Sequence, residues 1–251
     1  MSEPYPEKGN KANFTAMVIN RTIQELINVN MNGDKVKDRV FISIIGYGNP
    51  AVNEIRSDYL SKYAENPLRI ESGKQKQSDG NGGLIDIDVQ NPVWIEPVAS
   101  QLTPMGSALE FAKKLVEGWM SKKADNPAPV IINISDGLPC PEEEETKSVT
   151  IAKAIMMLSC SDGNPLVFNA HIGNSNTECI CPESESELPD DQAKFLFAIS
   201  SKVPDSYKEA AQKQKLAVKT NSKGFVSNAA PETFIKFINF GSSGSSGSDK
   251  K

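Results

Sequence analysis

Three short apolar runs constrain this chain more than any other feature: residues 39–47 (RVFISIIGY), 130–134 (VIINI) and 165–172 (PLVFNAHI). The first two are rich in β-branched residues and end in Gly-Tyr-Gly and Ser-Asp-Gly. A short, continuous apolar run fits a strand buried on both faces, as in a parallel sheet. The stretches between them have helical spacing. Phe14, Met17, Val18, Ile23, Leu26 and Ile27 predict a helix over 11–29. Thr103 before Pro104 opens a second, with Leu109, Ala112, Leu115, Val116 and Trp119 on its buried face. A third helix over 149–158 follows the acidic run at 142–145, read as a solvated face. Further helices are expected over 193–201, 205–214 and 231–240, and a short last strand over 223–227. Residues 72–83, rich in Gly, Ser, Gln and Lys, read as an exposed loop. Residues 84–89 alternate and read as an edge strand or hairpin arm.

Strands alternating with helices imply an α/β, doubly wound, mostly parallel sheet covered on both faces. The 251 residues and 38% hydrophobic content suit one soluble domain over 1–240. The tail, 241–251 (GSSGSSGSDKK), reads as flexible and stands outside the fold. A net charge of −5 argues against nucleic acid, whose binders carry a basic stripe. No apolar run approaches the roughly 20 residues that span a bilayer, so no membrane partner is expected. The start, MSEPYPEKGNKANF, lacks an apolar signal core, and the 4 cysteines are unevenly spaced. A reducing cytoplasm is the expected compartment.

In open α/β sheets, ligands bind beyond the carboxyl ends of the strands. Two segments fall there: LTPMG at 102–106, and ISDG at 134–137 after an apolar strand. They offer the Thr103 hydroxyl and the Asp136 carboxylate, hard oxygens suited to Mg²⁺ or Mn²⁺.

TPMGSAL at 103–109 and IINISDGLP at 131–139, in this order and spacing, resemble the von Willebrand factor type A (VWA) domain family. The resemblance covers roughly residues 1–240, with insertions around 49–95 and 174–190. It implies a Rossmann-like fold and a metal-ion-dependent adhesion site (MIDAS). Thr103 and Asp136 would be two of its ligands, and a partner protein's acidic residue would complete the coordination. The family's Asp-x-Ser-x-Ser loop, which ends its central first strand, should directly precede the first helix. Met1 stands where a Met commonly follows that loop's second Ser, so the chain reads as truncated, without strand or loop. Two ligands hold a hard cation weakly. A missing central strand would leave buried backbone groups unpaired, at about 1–3 kcal/mol each. The resemblance further implies a binding module rather than an enzyme, an intracellular scaffold in a stress-response or signalling complex.

Competing readings stay open. A metal-dependent hydrolase or phosphatase of another doubly wound class would use Asp136 with a second strand-end carboxylate. A non-binding fragment from a mis-called start is the other alternative. Cys179 and Cys181 form C-x-C rather than C-x₂₋₄-C, so they, Cys140 and Cys160 read as free thiols, not a zinc site. His171 reads as a packed strand residue, and Trp94 and Trp119 as core or rim. No G-x-S-x-G elbow or phosphate-binding glycine loop occurs.

Overall fold

The computed structural model describes residues 1–5, 9–48, 51–78, 80 and 83–243. A two-residue pair, β1 (Pro4–Tyr5) with β2 (Gly9–Asn10), leads into the first helix. Asn10 is extended, and its side chain accepts from the Asn13 N–H at 2.8 Å. This capping starts α1 (Lys11–Val29) where the apolar spacing predicts it. A second small pair, β3 (Met31–Asn32) with β4 (Lys35–Val36), turns the chain back through Gly33 at φ 62°. Glycine takes that backbone conformation without steric cost.

The chain then runs through β5 (Phe41–Tyr47), β6 (Val52–Tyr59) and α2 (Leu60–Glu65), and the hairpin β7 (Arg69–Ser78) with β8 (Leu84–Val93). Next come α3 (Met105–Lys122), β9 (Val130–Ser135), α4 (Glu143–Met156), β10 (Leu166–His171) and β11 (Cys179–Ile180). It closes with α5 (Asp191–Ala198), α6 (Lys208–Lys213), β12 (Phe225–Ser227) and α7 (Pro231–Ser242).

The largest sheet has the order β11-β12-β10-β9. β10 pairs parallel with β9 and with β12, while β11 is antiparallel at the edge. Alternate side chains leave on opposite faces of a strand. Ile131, Val167 and Phe225 meet Met105, Leu109, Ile155 and Leu196 of α3, α4 and α5. Val130, Ile132, Ile134, Phe168 and Val226 meet Phe14 and Val18 of α1 and Phe234, Phe237 and Phe240 of α7. Helices therefore cover both faces of this sheet. A third cluster packs Ile23 and Ile27 of α1 with Leu60, Tyr63 and Trp94, against Ile42 and Ile44 of β5. Thus α1 runs under both β5 and β9.

The molecule is mixed α/β with several small sheets, parallel in part. Several expectations need correction. The 39–47 run is not a strand buried on both faces: Phe41 is 36% exposed, and the strand pairs only with antiparallel β6 among the described residues. Residues 72–78, expected as loop, lie in β7 and pair residue for residue with β8; part of the expected loop, 79, 81 and 82, lies outside the described residues. The alternation there was too polar to signal a strand. Helix α4 begins at Glu143, six positions before the expected start at 149, because its acidic first turn complements the helix dipole. Of the tail, only 241–243 are described, and Ser242 still belongs to α7. Among the described residues, no helix is long and apolar enough to cross a membrane.

Candidate metal centre

Asp136 follows β9 directly, at the carboxyl rim of the sheet. Its side chain is 16% exposed and forms an ion pair with the α-ammonium of Met1. Met1 is held there from two sides. Its carbonyl accepts from Ala12 N–H at 3.1 Å, and its sulfur lies 3.8 Å from the Thr15 hydroxyl. Burial, then the positive charge of Lys11, holds the ammonium below its ordinary pKa. The cation beside Asp136 is therefore a partly desolvated one. Glu3 anchors the same segment by accepting from Lys11 Nζ at 2.6 Å and from Asn174 Nδ2 at 3.1 Å.

Thr103 lies on the loop entering α3. It does not cap the helix: the cap position is Pro104, with no side-chain bond. Instead its carbonyl accepts from Met105 N–H at 2.7 Å and from Cys140 N–H at 3.0 Å. Thr103 and Cys140 form an isolated antiparallel bridge, which ties the Thr103 loop to the loop that Asp136 opens. Gly106 allows this approach. A Cβ there would stand 2.7 Å from Lys147 Cβ and 2.9 Å from Ser148 N of α4. The run read as a solvated acidic face holds the other half of the joint. Glu144 is only 8% exposed; its carboxylate accepts from Ser107 N–H at 2.7 Å and from the Ser107 hydroxyl at 2.6 Å. A buried carboxylate thus sits on the first turn of α3, where the helix dipole favours negative charge.

A buried polar string crosses the sheet behind this rim. Tyr47 Oη donates to Asn133 Oδ1 at 2.6 Å and lies 3.2 Å from the Ile134 carbonyl. Asn133 Nδ2 donates to Asn169 Oδ1 at 2.8 Å, and Asn169 Nδ2 to Ser200 Oγ at 2.9 Å. Burial pushes the Tyr47 hydroxyl up to about 12, so it stays a donor. Sequence reasoning missed Tyr47, Asn133 and Glu144. Asn133 carried a signal: one amide inside an otherwise apolar strand demands a partner.

His171 ends β10, is 1% exposed, and places Nδ1 2.9 Å from the Ser227 hydroxyl. Desolvation lowers its pKa, against the pull of Asp190 4.0 Å away. Cys179 and Cys181 are buried, and their thiols are pushed up to about 11 and about 12. Cys140 is exposed and Cys160 partly so.

Among the described residues, no three His, Cys, Asp or Glu side chains converge to hold a metal ion. The donor set near Asp136, one carboxylate and a hydroxyl-bearing loop, has the chemistry of a hard-cation site but too few ligands: Mg²⁺ takes about six oxygens at about 2.1 Å. Comparison of this chain with protein-family models, curated proteins and solved structures found no match.

Proposed function

We propose that this chain is a protein-binding module of the VWA type, with a rim that shares a Mg²⁺ or Mn²⁺ ion with a partner's carboxylate. The bridge between Thr103 and Cys140 carries this reading, because it holds the two motif loops together at the end of a parallel strand. One further observation supports it: helices cover both faces of the sheet, as a doubly wound fold requires. Asp136 and the Thr103 hydroxyl would supply two oxygens, and water and the partner's carboxylate the rest.

Mn²⁺ binding followed by water-proton relaxation tests this, with acetate standing in for the partner carboxylate. Acetate is expected to tighten Mn²⁺ binding in the parent chain and to have no effect in Thr103→Ala or Asp136→Ala. Equal Mn²⁺ affinity in the parent chain and both variants would overturn the reading.

A further inference from the structure

β7 and β8 pair residue for residue, so their ladder shows what each face of the hairpin carries. Alternate side chains leave on opposite faces. On one face Lys74 stands opposite Asp88 and Lys76 opposite Asp86, with Ile70 and Leu84 at the two ends. On the other face Ile85, Ile87 and Val89 form an apolar row along β8. Gly73 stands opposite Val89 and has no side chain to lay over it. Ile85 is 51% exposed, and Ile87 and Val89 are half-buried. A two-stranded hairpin is marginal in water unless its apolar face packs on a helix or further strands.

The apolar face runs down into a cavity of about 530 Å³. Arg69, Glu71, Asn91 and Val93 line it from the hairpin, and the ladder puts all four on the same face as the apolar row. The facing wall is α1, through Met17, Asn20 and Gln24. Their spacing makes one stripe of the helix, and none of them is among its buried residues. Asn20 fixes the angle between the walls. Its Oδ1 accepts from Trp94 N–H at 2.8 Å and Ile95 N–H at 3.1 Å, and its Nδ2 donates to the Ile95 carbonyl at 3.0 Å. Arg69 stiffens the hairpin wall: Nε donates to Glu71 at 2.7 Å and Nη1 pairs with Glu96.

The shape and charge of this notch specify its occupant. The face offers side chains rather than backbone groups, so the occupant must satisfy its own backbone, as a helix does. The cavity takes about one helical turn, at about 120 Å³ per residue. A second copy laid hairpin on hairpin would cover only about 330 Å² per chain, against the about 800 Å² of a stable complex. A helix in the notch adds the α1 wall. Residues 244–251, GSSGSDKK, hold no apolar side chain and do not fit. On the walls Glu25, Glu71 and Glu96 outnumber Arg21 and Arg69, which favours a cationic occupant and disfavours an anionic lipid surface. We propose that the hairpin face and the notch bind an amphipathic helix of a partner protein. Its apolar stripe lies on Ile85, Ile87 and Val89, and its lysines or arginines lie beside Glu25, Glu71 and Glu96. This surface shares no residue with the Thr103 and Asp136 loops and does not depend on the metal reading.

The test is an NMR titration in EDTA with a capped helical peptide of about 20 residues, the length of the hairpin arm at about 1.5 Å per residue. The peptide carries one leucine stripe flanked by lysines, and a scrambled peptide of the same composition is the control. The helical peptide is expected to shift the amide signals of Ile85, Ile87, Val89, Met17 and Gln24 and to leave β10 unchanged. Ile87→Ser should weaken binding about tenfold. Replacing residues 72–90 with an Asn-Gly turn should abolish it, and serves if Ile87→Ser disturbs the fold. Exchanging the peptide lysines for glutamates should also weaken binding. The proposal is overturned if the scrambled or glutamate peptide binds equally well, if the shifts fall elsewhere, or if the folded variants bind as the parent does. It is equally overturned if rising protein concentration alone moves these signals, which makes a second copy the occupant. Phosphatidylserine vesicles moving them in place of the peptide would make the occupant a membrane and overturn it too. EDTA keeps every outcome separate from the Mn²⁺ experiment.

Discussion

At the scale of single residues, buried polar groups hold the rim together. Glu144 satisfies two donors of Ser107 and receives in return the favourable end of the α3 dipole. Glu144→Ala leaves the Ser107 donors without their acceptor in a partly buried place. Urea denaturation should show a loss of about 1–3 kcal/mol, with Glu144→Gln losing less because it keeps an acceptor. His171 makes a pH prediction. Burial holds its folded pKa below the ordinary value of 6.5, so the folded state favours the neutral ring. As pH falls below about 6.5, the unfolded chain takes up a proton that the folded chain resists. Stability is therefore complete above that pH and declines as pH drops toward the folded pKa. His171→Asn should flatten this decline between pH 7 and 5. Burial also keeps the Cys179 and Cys181 thiols protonated at neutral pH. A thiol reagent at pH 8 should modify exposed Cys140 rapidly, and Cys179 and Cys181 only after denaturant is added.

At the scale of elements, the hairpin β7–β8 differs from the rest. Its apolar side chains Ile70, Leu84 and Ile85 are 58%, 67% and 51% exposed, while Trp94 just after it is buried and donates from Nε1 to Tyr63 O at 2.6 Å. The base of the hairpin belongs to the core and the arms do not. Replacing residues 72–90 with a short Asn-Gly turn should shift the melting temperature by less than about 4 °C, the equivalent of roughly 1 kcal/mol. The elements also show what periodicity can and cannot report. α1 was legible to its ends, because its apolar stripe spans two clusters and Asn10 caps it. β7 was not, because a strand exposed on both faces carries no apolar alternation.

At the scale of the molecule, two sheet fragments share their covering helices. β10 has strands on both sides and helices on both faces, whereas among the described residues β5 pairs only with β6. Opening free energies follow buried contacts. Native-state hydrogen exchange should find the β10 amides exchanging only with global unfolding, and the β5–β6 amides at clearly lower free energy. Equal free energies in both fragments would mean that α1 and α3 couple them into one cooperative unit.

The sequence by itself determined where the main helices lie, and that β9, β10 and β12 are short and apolar. It also set the two rim motifs around Thr103 and Asp136. These are local properties, written in the spacing of apolar side chains and in turn chemistry. Only the tertiary structure decided what those residues meet. It brought the Thr103 loop against Cys140, turned Glu144 inward onto α3, and linked Tyr47 of β5 to Asn133 of β9. Pairing between distant segments depends on which backbone groups find partners across the fold, and no local pattern records that.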